Sequence, residues 1–162
     1  VIGDCTQRPI LDIIGPFGDV PYLEQCRRLV SPKVHEQVRF IGELPYKYVL
    51  DRLAAASALI FASEREGLPN VVLEAMAYNC VPLIIGNDLG AIEAIKGEGG
   101  LVLERPEDFD WHQLKSMLLA AAPYEIAHSH YDIKRVAARH AATYEDLVRT
   151  RGLSPGRRKW EQ

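Results

Sequence analysis

Short runs of consecutive apolar residues alternate along this chain with longer segments in which apolar positions recur at three- and four-residue spacing. Ile10-Leu11-Asp12-Ile13-Ile14, Val38-Arg39-Phe40-Ile41-Gly42, Ala58-Leu59-Ile60-Phe61, Val81 to Ile85 and Gly100 to Leu103 read as strands. Between the first two, Tyr22, Leu23, Cys26, Leu29 and Val30 share a helical stripe. This predicts a helix over Val20 to Val30, with Asp19 as its cap and Pro21 in its first turn. Pro45 opens a second helix through Leu50, Leu53 and Ala54. Later, Asp110-x-x-Gln113 is a capping signal for a helix carrying Trp111, Leu114, Met117 and Leu118, which Pro123 breaks. A long, polar-faced helix is predicted over Ile133 to Arg151.

Nearly continuous apolar strands separated by helices imply a parallel sheet covered on both faces, because a sheet with one wet face would alternate apolar and polar residues. The predicted fold class is therefore α/β, a Rossmann-like three-layer α/β/α arrangement. Ligands of such sheets bind beyond the carboxyl ends of the strands, where the Gly15, Gly42 and Glu66 loops fall.

The stretch Ser63 to Ile85 carries the candidate chemistry. Pro69 suits a first helical position, since its φ is already helical and its missing N–H is not needed there. The first turn, Pro69-Asn70-Val71-Val72, then leaves backbone N–H groups and the positive end of the helix dipole for an anion. Glu74 interrupts an otherwise apolar helix and shares a face with Asn70 and Val71. A phosphate at the helix start and a polyhydroxyl group beside Glu74 suit this geometry.

Composition narrows the partners. With 48% hydrophobic and 25% charged residues and a net charge of -3, the chain is ordinary globular protein without the basic field that nucleic acid requires. Cys5, Cys26 and Cys80 are widely spaced and odd in number. That disfavours a disulfide framework or a zinc site and favours reduced thiols in a cytoplasmic compartment. No apolar run reaches bilayer length. The chain starts at Val1 and runs almost directly into a core strand, so it is expected to be a piece of something longer. Residues 1–122 are expected to form the ligand-binding domain, 123–151 a helical segment, and 152–162 a basic tail. With Arg149, Arg151, Arg157, Arg158 and Lys159, the tail reads as a linker that could also touch an anionic inner-membrane face.

Glu66 and Glu74, separated by seven residues, with Gly67 after the first and Leu73-Glu74-Ala75-Met76-Ala77 around the second, resemble the Glu-x7-Glu motif of GT-B glycosyltransferases of group 1, the retaining family four. Val81-Pro82 falls where that family starts a buried strand. Ile10 to Gly18, Val38 to Leu44, Leu89 to Ile92 and Gly97 to Val102 also fall in the family's order. The resemblance implies the C-terminal, nucleotide-sugar-binding half of a GT-B enzyme, without the first strand of that half. Glu66 would be the catalytic residue, accepting hydrogen bonds from donor-sugar hydroxyls. Gly67, Leu68 and Asn70 would offer backbone N–H groups to sugar and diphosphate, with Val71 beside them. Glu74 would hold the ribose, Phe40, Ile41 and Leu44 would border the base, and Gly15 would line the donor loop. The resemblance further implies a nucleotide-diphosphate sugar as donor, no metal or other cofactor, and a missing N-terminal acceptor-binding domain without which the chain does not turn over.

Other features belong to the surface. The family's Arg and Lys diphosphate clamp has no counterpart in its place, since Arg28 and Lys33 follow the first helix. None of His35, His112, His128, His130 and His140 matches the family's catalytic histidine. Asp108-Phe109-Asp110 has the form of a metal signature, but Asp110 is already accounted for as a cap. A non-catalytic nucleotide or nucleotide-sugar binding module is the alternative function. A phosphoacceptor receiver domain would need clustered acids after its first strand, and a dinucleotide-binding domain a Gly-x-Gly-x-x-Gly run; the chain has neither.

Overall fold

A computed structural model describes residues 9–63 and 65–151. Cys5, Glu64 and the expected tail at 152–162 lie outside the described residues. The chain divides into two compact units, Val1–Arg52 and Leu53–Gln162.

In the first unit, β1 (Leu11–Ile14) pairs in parallel with β2 (Val38–Gly42), with a register slip between Ile13 and Ile14. Between them run α1 (Val20–Leu29) and a 3-10 turn, Pro32–Gln37. Asp19 caps α1 as its sequence predicts, its carboxylate accepting the Tyr22 N–H at 2.9 Å, and Pro21 sits in the first turn. Asp12, the one charge in the β1 run, is held at 2.5 Å by Arg39 and at 3.1 Å by Arg52, which starts from α2 (Tyr46–Ala55). Arg28 and Lys33 are exposed.

The second unit is built on β3 (Ala58–Phe61), β4 (Val81–Ile85) and β5 (Leu101–Leu103), parallel and in that spatial order. Its helices are α3 (Asn70–Ala77), α4 (Leu89–Ile95), α5 (Trp111–Ala120), α6 (Pro123–Tyr131) and α7 (Ile133–Arg151). Thus all strand pairs among the described residues are parallel, and they form two separate sheets. Pro123 ends one helical run, as expected, and also opens α6 as its first residue, a position where its missing N–H costs nothing.

The core of the second unit forms where α3 packs on β3, β4, α4 and α6. Val72 and Met76 of α3, Ile84 of β4 and Ala91, Ala94 and Ile95 of α4 are its fully enclosed members. Two-sided burial, expected for every strand, is reached at β4, the middle strand of its sheet. Ile60 on edge strand β3 is 49% exposed. At the β4–β5 seam Gly100 is required by space, since a Cβ there would lie 2.5 Å from the Pro82 carbonyl oxygen.

Because Ile84 is 0% exposed, Ile84→Ala should lower the unfolding free energy in urea by about 3 kcal/mol, the transfer loss plus the cavity left behind. Ile60→Ala, whose side chain is already half in water, should cost clearly less, about 1 kcal/mol.

Candidate functional site

Beyond Phe61 the chain leaves the carboxyl end of β3, turns through residues 62–69 and enters α3. Pro69 precedes the helix rather than opening it. Its φ of -72° is the helical value its ring imposes, but its ψ of 116° is extended, which the ring does not control. The first turn is therefore Asn70-Val71-Val72, one residue later than its sequence predicts. The Pro69 carbonyl accepts the Val72 N–H at 3.1 Å and the Leu73 N–H at 3.4 Å, and no side chain caps this end. Glu66, Gly67, Leu68 and Asn70 are exposed, whereas Val71 and Glu74 are half-buried on the same helical face as Asn70.

The other end of α3 is closed by Asn79. At φ 58° it takes the left-handed conformation in which glycine is usual, sending its N–H to Met76 O at 3.0 Å. The Cys80 N–H reaches Ala75 O at 2.9 Å. Asparagine thus does the glycine's work here, and the chain passes into β4 already in the core.

The next loop supplies a residue that the sequence reading passed over. Asp88 follows β4, caps α4 and is 3% exposed. One carboxylate oxygen accepts the Ala91 N–H at 2.8 Å and the other accepts the Glu66 N–H at 2.6 Å. The cap was legible as an Asp immediately before the apolar positions Leu89, Ile92 and Ile95. The bond to Glu66 was not, since the partners lie far apart in sequence. Gly90 packs directly against the same loop, so that a Cβ there would fall 1.8 Å from Gly67 O.

At this edge of β3 and β4 lies an open cleft of about 410 Å³ lined by Ala62, Ser63, Arg65, Ile85, Gly86 and Asn87. Arg65 gives it a positive charge that the sequence reading overlooked, and no carboxylate among the described residues pairs with it.

The remaining predicted residues lie in the first unit. Gly15 donates its N–H to Gly42 O at 3.0 Å, and Gly42 takes φ 87°. Phe40, Ile41 and Leu44 are half-buried. Strand alternation puts Phe40 and Ile41 on opposite faces of β2, so the two do not form one surface. The Phe40 ring meets the Phe17 ring edge-on at 6.2 Å and the Arg27 guanidinium at 5.6 Å.

Asp108 and Asp110 are occupied structurally. Asp110 accepts the His112 and Gln113 N–H groups as the α5 cap, and Asp108 accepts from Arg105. His128 stacks on Tyr124 at 5.9 Å. Among the described residues no helix is long and apolar enough to cross a membrane.

The family model described as "Glycosyl transferases group 1" matches residues 6–120. The chain belongs to this family.

Two curated relatives agree with that placement. A GDP-mannose-dependent monoacylated alpha-(1-6)-phosphatidylinositol monomannoside mannosyltransferase of Corynebacterium glutamicum is 36% identical over 94 residues, 54% of this chain and 24% of its own length. TuaC of Bacillus subtilis, named as a teichuronic acid biosynthesis glycosyltransferase, is 27% identical over 119 residues, 67% of this chain and 30% of its own length. The chain thus spans under a third of either relative. The crystal structure of AviGT4, a glycosyltransferase involved in avilamycin A biosynthesis, shares the α/β fold with a TM-score of 0.64 over 86% of this chain and 44% of its own, at 22% identity.

Burial behind α3 has a chemical consequence at Cys80, whose thiol is pushed up from an ordinary 9.0 to about 11. The native state then holds this proton more tightly than the unfolded chain. Stability that is complete below the ordinary value is lost as pH rises from 9.0 towards 11. Iodoacetamide should label half-buried Cys26 well before Cys80 in the native chain, as read by peptide mass spectrometry. Cys80→Ala should flatten the stability loss over that pH window.

Proposed function

We propose that this chain is the donor-binding part of a group 1 glycosyltransferase of the GT-B type, taking a nucleotide-diphosphate sugar and acting with an acceptor-binding half to transfer the sugar with retention. The observation that carries this reading is an exposed Glu66 loop beyond the carboxyl end of β3, followed by a helix that carries half-buried Glu74, inside the segment matched to the family. Carboxylates there are good acceptors for sugar and ribose hydroxyls, and an uncapped helix start suits phosphate.

In this reading Glu66 accepts hydrogen bonds from the donor sugar and Glu74 holds the ribose. The Gly67, Leu68 and Asn70 amides, with Val71 beside them, meet the sugar and diphosphate. The diphosphate leaves as an oxocarbenium-like sugar is attacked on the same face, and the protein contributes positioning and charge stabilisation without a metal. Arg65, in the cleft beside Ser63, is a cation within the same loop that could meet a leaving phosphate.

The relative from Corynebacterium glutamicum is named as GDP-mannose-dependent, which makes GDP-mannose the first donor to test. Calorimetric titration with GDP, UDP and ADP, each with and without an attached hexose, should give saturable binding for one nucleotide series. Glu74→Ala should weaken that binding about 10- to 100-fold, the loss of charged hydrogen bonds to hydroxyls. Silence towards every series, persisting when the acceptor half is joined to the chain, would overturn the donor-site assignment.

A further inference from the structure

We propose that Asp88 and Gly90 form a clamp at the start of α4 that fixes the Glu66–Leu68 backbone, making Asp88 a positioning residue for donor binding; this rests on the donor-site reading above. A carboxylate that is 3% exposed must be satisfied by donors within the protein. Both of its oxygens go to backbone N–H groups, and these come from different places: Ala91 in α4 at 2.8 Å and Glu66 at 2.6 Å. The charge-assisted bond to Glu66 is thus an additional fixture on a residue that already serves as a helix cap.

Gly90 fixes the next peptides. A Cβ on Gly90 would lie 1.8 Å from Gly67 O and 2.6 Å from Gly67 C, so this carbonyl points its oxygen at the helix. The Glu66 oxygen, 2.8 Å from the same point, also lies against it. In a planar trans peptide the N–H points opposite to the C=O. With the Glu66 and Gly67 carbonyls turned onto α4, the N–H groups of Gly67 and Leu68 face away from it, on the exposed side of the loop. The clamp therefore does two things. It takes up the Glu66 N–H inside the protein and turns the two following N–H groups outward as a preorganised pair of donors, the arrangement that favours an anion or a sugar oxygen. Gly90 is indispensable because any side chain would separate the loop from the helix.

Asp88→Asn separates the two jobs of the carboxylate. Asparagine is an equally good cap and keeps one oxygen for the Ala91 N–H, but its other polar atom is an NH2 group, which cannot accept the Glu66 N–H. In the full chain, amide hydrogen exchange followed by NMR should show the Glu66 amide exchanging about tenfold faster or more in Asp88→Asn, with the Ala91 amide still protected. Gly90→Ala should also deprotect Glu66, because the added methyl collides with Gly67 O. The dissociation constant for the nucleotide sugar that the wild-type chain binds should rise about tenfold in each variant. The double variant should be little worse than either single one, since both release the same loop. An unchanged Glu66 amide in Asp88→Asn, or in Gly90→Ala should the first variant not fold, would overturn the clamp. So would a deprotected loop with unchanged donor affinity. A wild-type chain that binds no nucleotide sugar would overturn the donor reading and with it the positioning role, while the exchange data would still show whether the loop is held.

Discussion

The carboxyl-terminal edge of β3 and β4 is held by a carboxylate almost entirely withdrawn from water. Asp88 lies on the loop after β4, yet one of its oxygens ends a backbone bond from the loop after β3. A buried carboxylate without donors would be far more costly than any single apolar contact is favourable, so both loops must keep the geometry that supplies those donors. The cap of α4, the course of the Glu66 loop and the absence of a side chain at Gly90 are three aspects of one constraint.

Behind that edge, α3 transmits the packing. Its Val72, Ala75 and Met76 are enclosed on the core side, while Asn70, Val71 and Glu74 occupy another face. Fixing the buried face fixes the rotation of the helix about its axis, and with it the direction of Glu74. The left-handed turn at Asn79 then returns the chain directly to β4, the best buried strand of the unit. A helix anchored in this way by core residues can present polar groups at its start without a capping side chain, leaving its backbone donors for something else.

Membership of the glycosyl transferases group 1 family agrees with this division of labour: apolar positions carry the architecture and a short loop with a helix start carries the polar chemistry. Asn79 tolerates the conformation for which glycine is common, and Glu93, within α4, pairs with Lys96 at 3.2 Å.

By itself the sequence determined the strands, most helices, the parallel pairing and the motif around Glu66 and Glu74, because each is written in local patterns: apolar runs, helical spacing, caps and turn residues. It also marked Asp19 and Asp110 as caps, since a cap is decided within three residues. Helix starts were legible only to within a residue, because proline fixes φ and leaves ψ to the loop, as at Pro69. What only the tertiary structure decided was how loops far apart in the chain meet. The bond from Glu66 to Asp88, the contact of Gly67 with Gly90, the exposure of Ile60 and the engagement of Phe40 by Phe17 and Arg27 all depend on neighbours that no sequence period encodes. Local patterns set which residues form strands, helices and caps; the packing of separate elements sets which of them are buried and which polar atoms meet.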